Sequence, residues 1–218
     1  MLLNYRQYSE QGQPLLILHG LFGSLSNWGW HSKQLAEHFA VYGVDLRNHG
    51  DSPHDDEMNY QVMAEDVREL LTHLQISQCD IIGHSMGGKV AMQLALSYPQ
   101  LIRKLVIVDI APVQYAAKAD GHLRVMEGMN ALNLADIVNR SEAEEFLEDY
   151  IEDEATRKFV LTNIIREEGG GYRWRLNLAA IEKHYDELRK KPVAGAPFTG
   201  PTLFVRGDES NYVRKAHE

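Results

Sequence analysis

Over the first 110 residues, short apolar runs alternate with stretches of helical period. Residues 15–18, 41–44, 79–82 and 105–108 read as strands, ending respectively at His19-Gly20, Asp45, Gly83 and Asp109. Continuous apolar runs of this kind suit strands covered on both faces. Between them, Met63, Val67, Leu70, Leu71 and Leu74 recur at 3.6-residue spacing and mark one face of a helix. After Gly87, the small residues Gly88, Ala91 and Ala95 form a stripe that lets a second helix approach a sheet closely. Strands alternating with helices predict an α/β fold, a mostly parallel sheet with crossover helices.

From about Pro112 to Lys191 the strand pattern vanishes. Ser141-x-x-Glu144 reads as a capping box opening a helix with Phe146, Leu147, Tyr150 and Ile151 on one side. Phe159, Val160, Ile164 and Ile165 predict a helical stretch that stops at Gly169-Gly170-Gly171. Leu178, Ile181, Tyr185 and Leu188 predict another. Pro192, Pro197 and Pro201 then lead back to a strand at Thr202–Val205. The expected division is a core of residues 1–111 and 192–218 with a helical cap, 112–191, inserted between two strands. The acidic residues between Glu142 and Glu154 read as a solvated helix face.

Composition narrows the class. Twenty-two basic against 31 acidic side chains give a net charge of −9, which argues against nucleic acid as a partner. No run of 18 apolar residues is present, so no membrane span is expected. Cys79 is the single cysteine. A disulfide framework is excluded, a cytoplasmic location is the natural reading, and the thiol reads as a small buried hydrophobe. No Asp/His/Glu cluster has metal-ligand spacing, so neither metal nor cofactor is expected.

The chemistry is carried by Gly83-His84-Ser85-Met86-Gly87, which fits G-x-S-x-G between a predicted strand and a predicted helix. A strand that reverses sharply into a helix crowds the flanking positions, hence the glycines. It also lifts Ser85 above the sheet edge as a nucleophile, beside the free N–H groups of the helix start. The oxyanion of an acyl-transfer reaction needs two donors. One is expected from the backbone N–H of Met86. The other is expected in His19-Gly20-Leu21-Phe22-Gly23, with Leu21 first and Phe22 next. Asp45 and Arg47 are expected to pair within their turn.

HGLFGS (19–24), DLRNHGDS (45–52), GHSMGGKVAM (83–92) and VDIAP (108–112) together resemble α/β-hydrolases, most closely small bacterial YbfF-type esterases. The resemblance extends through the cap to PTLFVRG (201–207) and implies hydrolysis of acyl esters and thioesters, acyl-CoA included. In most of the fold the triad acid stands three residues after Gly207, where this chain has Ser210, with Asp208 and Glu209 offset. The YbfF-type pattern implies Asp109 instead, at the end of the preceding strand. The triad histidine is expected after one further strand, beyond Glu218, together with a closing helix. His19, His84, His122, His184 and His217 do not fit that place.

The reading is a cofactor-free serine hydrolase acting on small-molecule acyl esters or thioesters through an acyl-enzyme. Ser85 and Asp109 are catalytic, and Leu21 and Met86 hold the oxyanion. Phe22, Tyr172 and Trp174 are candidate pocket residues, the last two equally at home in a cap core. Arg166, Arg173 and Arg175 are candidate phosphate contacts or solvated charges. The alternatives are a C–C bond hydrolase or MenH-like lyase on the same fold, and a non-catalytic ligand-binding protein.

Overall fold

A computed structural model describes residues 1–116, 121–193 and 195–217. The chain starts with a short strand, β1 (Tyr5–Gln7), followed by β2 (Gln13–Leu18), α1 (Gly29–Leu35) and β3 (Phe39–Val44). Then come α2 (Tyr60–His73), β4 (Cys79–His84), α3 (Met86–Ser97) and β5 (Ile102–Val108). The four strands expected in this half are present, each extended by two or three residues. The polar β1 was not anticipated: it carries too few apolar positions to register as a strand and exists by antiparallel pairing with β3.

The inserted segment holds α4 (His122–Ala131), α5 (Arg140–Leu147) and α6 (Glu154–Leu161). A hairpin of β6 (Ile164–Arg166) and β7 (Tyr172–Trp174) follows, then α7 (Leu178–Lys183) and α8 (Tyr185–Arg189). Residues 117–120 of the expected cap, and Glu218 at the expected core boundary, lie outside the described residues. β8 (Thr202–Val205) closes the sheet, whose order is β1-β3-β2-β4-β5-β8 with every pair but β1–β3 parallel.

Three local expectations are corrected. The helix predicted through Ile165 stops at Leu161. The β-branched pair Ile164-Ile165 instead pairs with Arg173 and Trp174 across a hairpin, and its turn uses Gly170 and Gly171 at φ 90° and 86°. The helix at 140–147 is capped not by Ser141 but by Asn139, whose side chain accepts from the N–H groups of Ser141 and Glu142. The last cap helix is broken at His184 into α7 and α8.

The core forms where the periodicity placed it. Met63, Val67, Leu70 and Leu71 of α2 are buried, as are Val90, Ala91, Leu94 and Ala95 of α3. Gly88 explains the small-residue stripe. A Cβ there would lie 2.6 Å from Ile110 and 3.3 Å from Ile107, so the first turn of α3 sits directly on the sheet end. Cys79 is buried, and burial pushes its thiol pKa up to about 12.

Arg47 does not pair with Asp45. Its guanidinium binds Asp66 of α2, at 2.6 and 2.9 Å, inside the core. Asp45 instead accepts backbone N–H groups of Leu25 (2.7 Å) and Asp51 (2.9 Å), tying two loops together above the sheet. A turn carboxylate surrounded by free amides is satisfied locally, which leaves the arginine for a partner on the neighbouring helix.

The cap docks on these loops. Asn177 donates to the Asn48 carbonyl at 2.9 Å through its backbone N–H. Arg175 forms a two-pronged ion pair with Asp51, and Tyr60 of α2 donates from its hydroxyl to the Leu188 carbonyl.

Candidate active site

Ser85 ends β4 at φ 49° and ψ −115°, a left-handed conformation that a non-glycine residue holds only when its surroundings enforce it. Those surroundings are two backbone contacts. The Ser85 N–H donates to the Val108 carbonyl at 2.9 Å, and the Gly87 N–H to the His19 carbonyl at 3.1 Å. The flanking glycines are obligatory. A Cβ on Gly83 would lie 2.5 Å from the Gly87 carbonyl oxygen, and one on Gly87 2.5 Å from the carbonyl oxygens of both Leu18 and His19. The turn therefore presents Ser85 at the carboxyl ends of the parallel strands, at the first turn of α3.

Facing Ser85 is a cavity of about 560 Å³. Gly20, Leu21, Phe22, His84 and Asp109 form its floor, and α4 and α6 with the segment between α5 and α6 form its far wall. A smaller cavity of about 30 Å³, room for a water molecule, joins Ser85 and Met86 to Lys89, Tyr115 and Tyr185. Phe22 lines the cavity. Tyr172 and Trp174 do not: Tyr172 donates to the Val138 carbonyl and Trp174 to the Met129 carbonyl, which places both in the packing of the cap. Arg166, Arg173 and Arg175 also lie off the wall. Among the described residues, Arg124 is the arginine that lines the wall, together with Asp149, Glu152 and Asp153. The acidic residues expected to be merely solvated thus shape the cavity.

Asp109 follows β5 directly, at φ 54°. Its N–H donates to the Val205 carbonyl at 2.8 Å, and its Oδ1 accepts from the Gly207 N–H at 3.4 Å. Its carboxylate shares the cavity with Ser85. Asp208 and Glu209 are exposed and do not line it.

The donor loop is a four-residue turn closed by the Gly23 N–H on the Gly20 carbonyl at 3.0 Å. The Phe22 N–H is already taken by His49 Nε2 at 3.2 Å. Among the described residues, the N–H groups of Leu21 and Met86 have no hydrogen-bond acceptor, and both residues line the cavities around Ser85. The choice of Leu21 over Phe22 is thereby supported on geometry. The peptide plane helps aim it. Gly20 O accepts from Gly23 and from His19 Nδ1 at 2.8 Å, and in a trans amide the Leu21 N–H points the opposite way.

His19 and His49 pack ring against ring, 5.2 Å between centroids. Each is used in its neutral form. His19 donates from Nδ1 and accepts the Leu46 N–H at Nε2 (3.0 Å), while His49 donates from Nδ1 to the Arg47 carbonyl and accepts Phe22 at Nε2. Burial draws their pKa values down to about 4 and about 3. Because these lie below the value of about 6.5 in an unfolded chain, the unfolded state binds more protons as the pH falls. Stability is fully present above about pH 6.5 and declines below it. With both rings titrating, the loss approaches about 3 kcal/mol per pH unit. Denaturant midpoints measured at pH 7.5, 6 and 5 should fall in that order; a constant midpoint would remove the neutral-histidine account.

His84 and His122 also border the Ser85 cavity. Burial lowers the His84 pKa against the opposing pull of Asp109. His122 of α4 contacts the Tyr185 hydroxyl at 3.1 Å and packs edge-on against Phe22. Among the described residues, Ser85 Oγ makes no hydrogen bond to any histidine. The sequence reading set His122 aside as the triad base, and nothing local marks a cap histidine as facing the core. Lys89 escaped the sequence reading. It is fully buried in α3, donates to the Arg189 and Lys190 carbonyls at the end of α8, and has its pKa drawn down to about 7 by burial. Its signal was its place in a stripe of otherwise small and apolar residues.

The parallel sheet, the sharp strand-to-helix turn at Ser85 and the inserted cap define a class, and sequence comparison agrees. Residues 13–217 match the alpha/beta hydrolase fold family, and the chain belongs to it. Among its relatives is sn-1-specific diacylglycerol lipase ABHD11 of Danio rerio, 39% identical over 97% of this chain and 68% of that protein. Esterase YbfF of Escherichia coli K12 is 35% identical over all of this chain and 84% of its own length. The solved structure of a marine microorganism esterase superposes with a TM-score of 0.96 at 38% identity, covering 99% of this chain and 84% of that one. No helix among the described residues is long and apolar enough to cross a membrane.

Proposed function

We propose that the protein is a carboxylic ester hydrolase that works through an acyl-enzyme on Ser85. The observation that carries the reading is Ser85 held in a left-handed backbone conformation at the mouth of a 560 Å³ cavity. Strain of this kind is retained where a side chain must be presented to a substrate. Ser85 Oγ adds to the ester carbonyl carbon as its proton passes to the triad imidazole, and the carbonyl electron pair moves onto oxygen. The N–H groups of Leu21 and Met86 receive that charge. Collapse passes the imidazolium proton to the departing alcohol and leaves the acyl group on Ser85; water then attacks with its proton taken by the imidazole, and the acid leaves as that proton returns to Ser85 Oγ. Asp109 serves as the triad carboxylate that orients and stabilises an imidazolium.

Relatives named as esterases and a diacylglycerol lipase support an uncharged ester as substrate. The wall supports it as well: Asp149, Glu152 and Asp153 outnumber Arg124, a poor setting for the phosphates of an acyl-CoA. A thioester with a neutral leaving group remains compatible with the same chemistry.

The test is labelling with a fluorophosphonate and a hydrolysis screen of acyl esters, acylglycerols and acyl-CoAs with the intact protein. Labelling of Ser85 with ester turnover exceeding acyl-CoA turnover is the expected result. An unreactive Ser85 would return the protein to a ligand-binding role, and preferential cleavage of a diketone would make it a C–C bond hydrolase.

A further inference from the structure

Phe22 stands at the third position of the Gly20–Gly23 turn with φ 61°. A turn with a left-handed residue there favours glycine, and a bulky side chain holds that conformation only under constraint. Both polar groups of the Phe22 backbone are constrained. Its N–H is held by His49 of the core. Its carbonyl accepts Nδ2 of Asn163 at 2.7 Å, and Asn163 belongs to the cap, between α6 and β6. Asn163 is 2% exposed. It also donates to the Val160 carbonyl at 3.1 Å and accepts the Arg175 N–H on its own carbonyl at 2.7 Å. It is therefore locked within the cap and reaches out of it to a single loop of the core.

We propose that Asn163 is a positioning residue for catalysis: by clamping the Phe22 carbonyl, it holds the Leu21 N–H where the oxyanion forms. The proposal rests on the reading of Ser85 as nucleophile given above. His49 alone anchors one side of the strained residue, and Asn163 supplies the other. The cap thus completes the oxyanion donor as well as walling the cavity, and displacement of the cap from the core releases the turn. Asn163 transfers no proton and touches no reacting atom.

The experiment is steady-state ester kinetics on Asn163→Ala, Asn163→Asp and Asn163→Ser, together with inhibition by a trifluoromethyl ketone, which forms an oxyanion on Ser85. Asn163→Asp keeps the volume and replaces the donor by an acceptor; Asn163→Ser offers a shorter donor. The alanine and aspartate variants should lose about 10- to 100-fold in kcat, short of the 10²–10³ for a deleted oxyanion donor. KM should change by less than about threefold, and the ketone's inhibition constant should rise by the same factor as kcat falls. The serine variant should recover part of the loss, and it and the aspartate carry the test where the alanine variant does not fold. Unchanged kcat, or a fall in kcat with undiminished ketone affinity, would overturn the role of Asn163. Full activity in Ser85→Ala would instead overturn the hydrolase reading itself.

Discussion

Ser85→Ala should abolish ester turnover, by about a million-fold in kcat, while leaving the fold intact. The size follows from the loss of the attacking atom: no acyl-enzyme can form, and the remaining donors act only on direct attack by water. The fold should survive because the strained turn is held by backbone contacts that alanine keeps, the Ser85 N–H on Val108 and the Gly87 N–H on His19. Ser85 Oγ itself makes no hydrogen bond among the described residues, so its removal strands no partner. Ser85→Gly should be equally inactive and more stable, since glycine holds φ 49° without strain. The checks are turnover, fluorophosphonate labelling and thermal unfolding of all three proteins. Near-normal turnover in Ser85→Ala would remove the serine from the mechanism.

What the sequence carried of the fold was whatever burial imprints on it. The strands around residues 15–18, 41–44, 79–82 and 105–108 lie inside the sheet, so their positions are apolar but for Asp80, which pairs with Arg103, and the runs are plain. β1 lies at a sheet edge and leaves almost no apolar trace. In the cap, the pair Ile164-Ile165 continues the helical spacing of Phe159 and Val160, and only its partner strand, eight residues away, makes it a hairpin. Pairing is a non-local choice that periodicity does not encode.

The site divides in the same way. Ser85, Gly83 and Gly87 were legible because the sterics of a sharp turn act within five residues. Leu21 was legible because it follows a strand at a set distance. The support of the Leu21 N–H was not, because it is assembled from His19, His49 and Asn163, spread over 144 residues of sequence. Tyr172 and Trp174 were open to two readings, pocket lining or cap core. Aromatic residues in a cap suggest a pocket, but these two satisfy their polar atoms on cap carbonyls and pack inward.

Asp109→Asn should lower turnover by about 10⁴-fold, and Asp208→Asn and Glu209→Gln by no more than a few-fold. Asp109 sits at the end of β5, the parallel neighbour of the strand that carries Ser85, and its carboxylate opens into the same cavity. Asp208 and Glu209 are exposed and stay outside it, and Ser210 stands where the acid would follow β8. An asparagine keeps an oxygen for the Gly207 N–H and the backbone bond to Val205, so the turn at φ 54° should persist. What it lacks is the negative charge. A neutral amide neither selects the imidazole tautomer that accepts the serine proton nor stabilises the imidazolium that results. Turnover should therefore fall with KM little changed and with the thermal unfolding midpoint within a few degrees of the parent. Parallel kinetics on the three variants decide the matter. Loss of activity confined to Asp208→Asn would move the acid to the loop after β8 and leave Asp109 as a residue that shapes the turn.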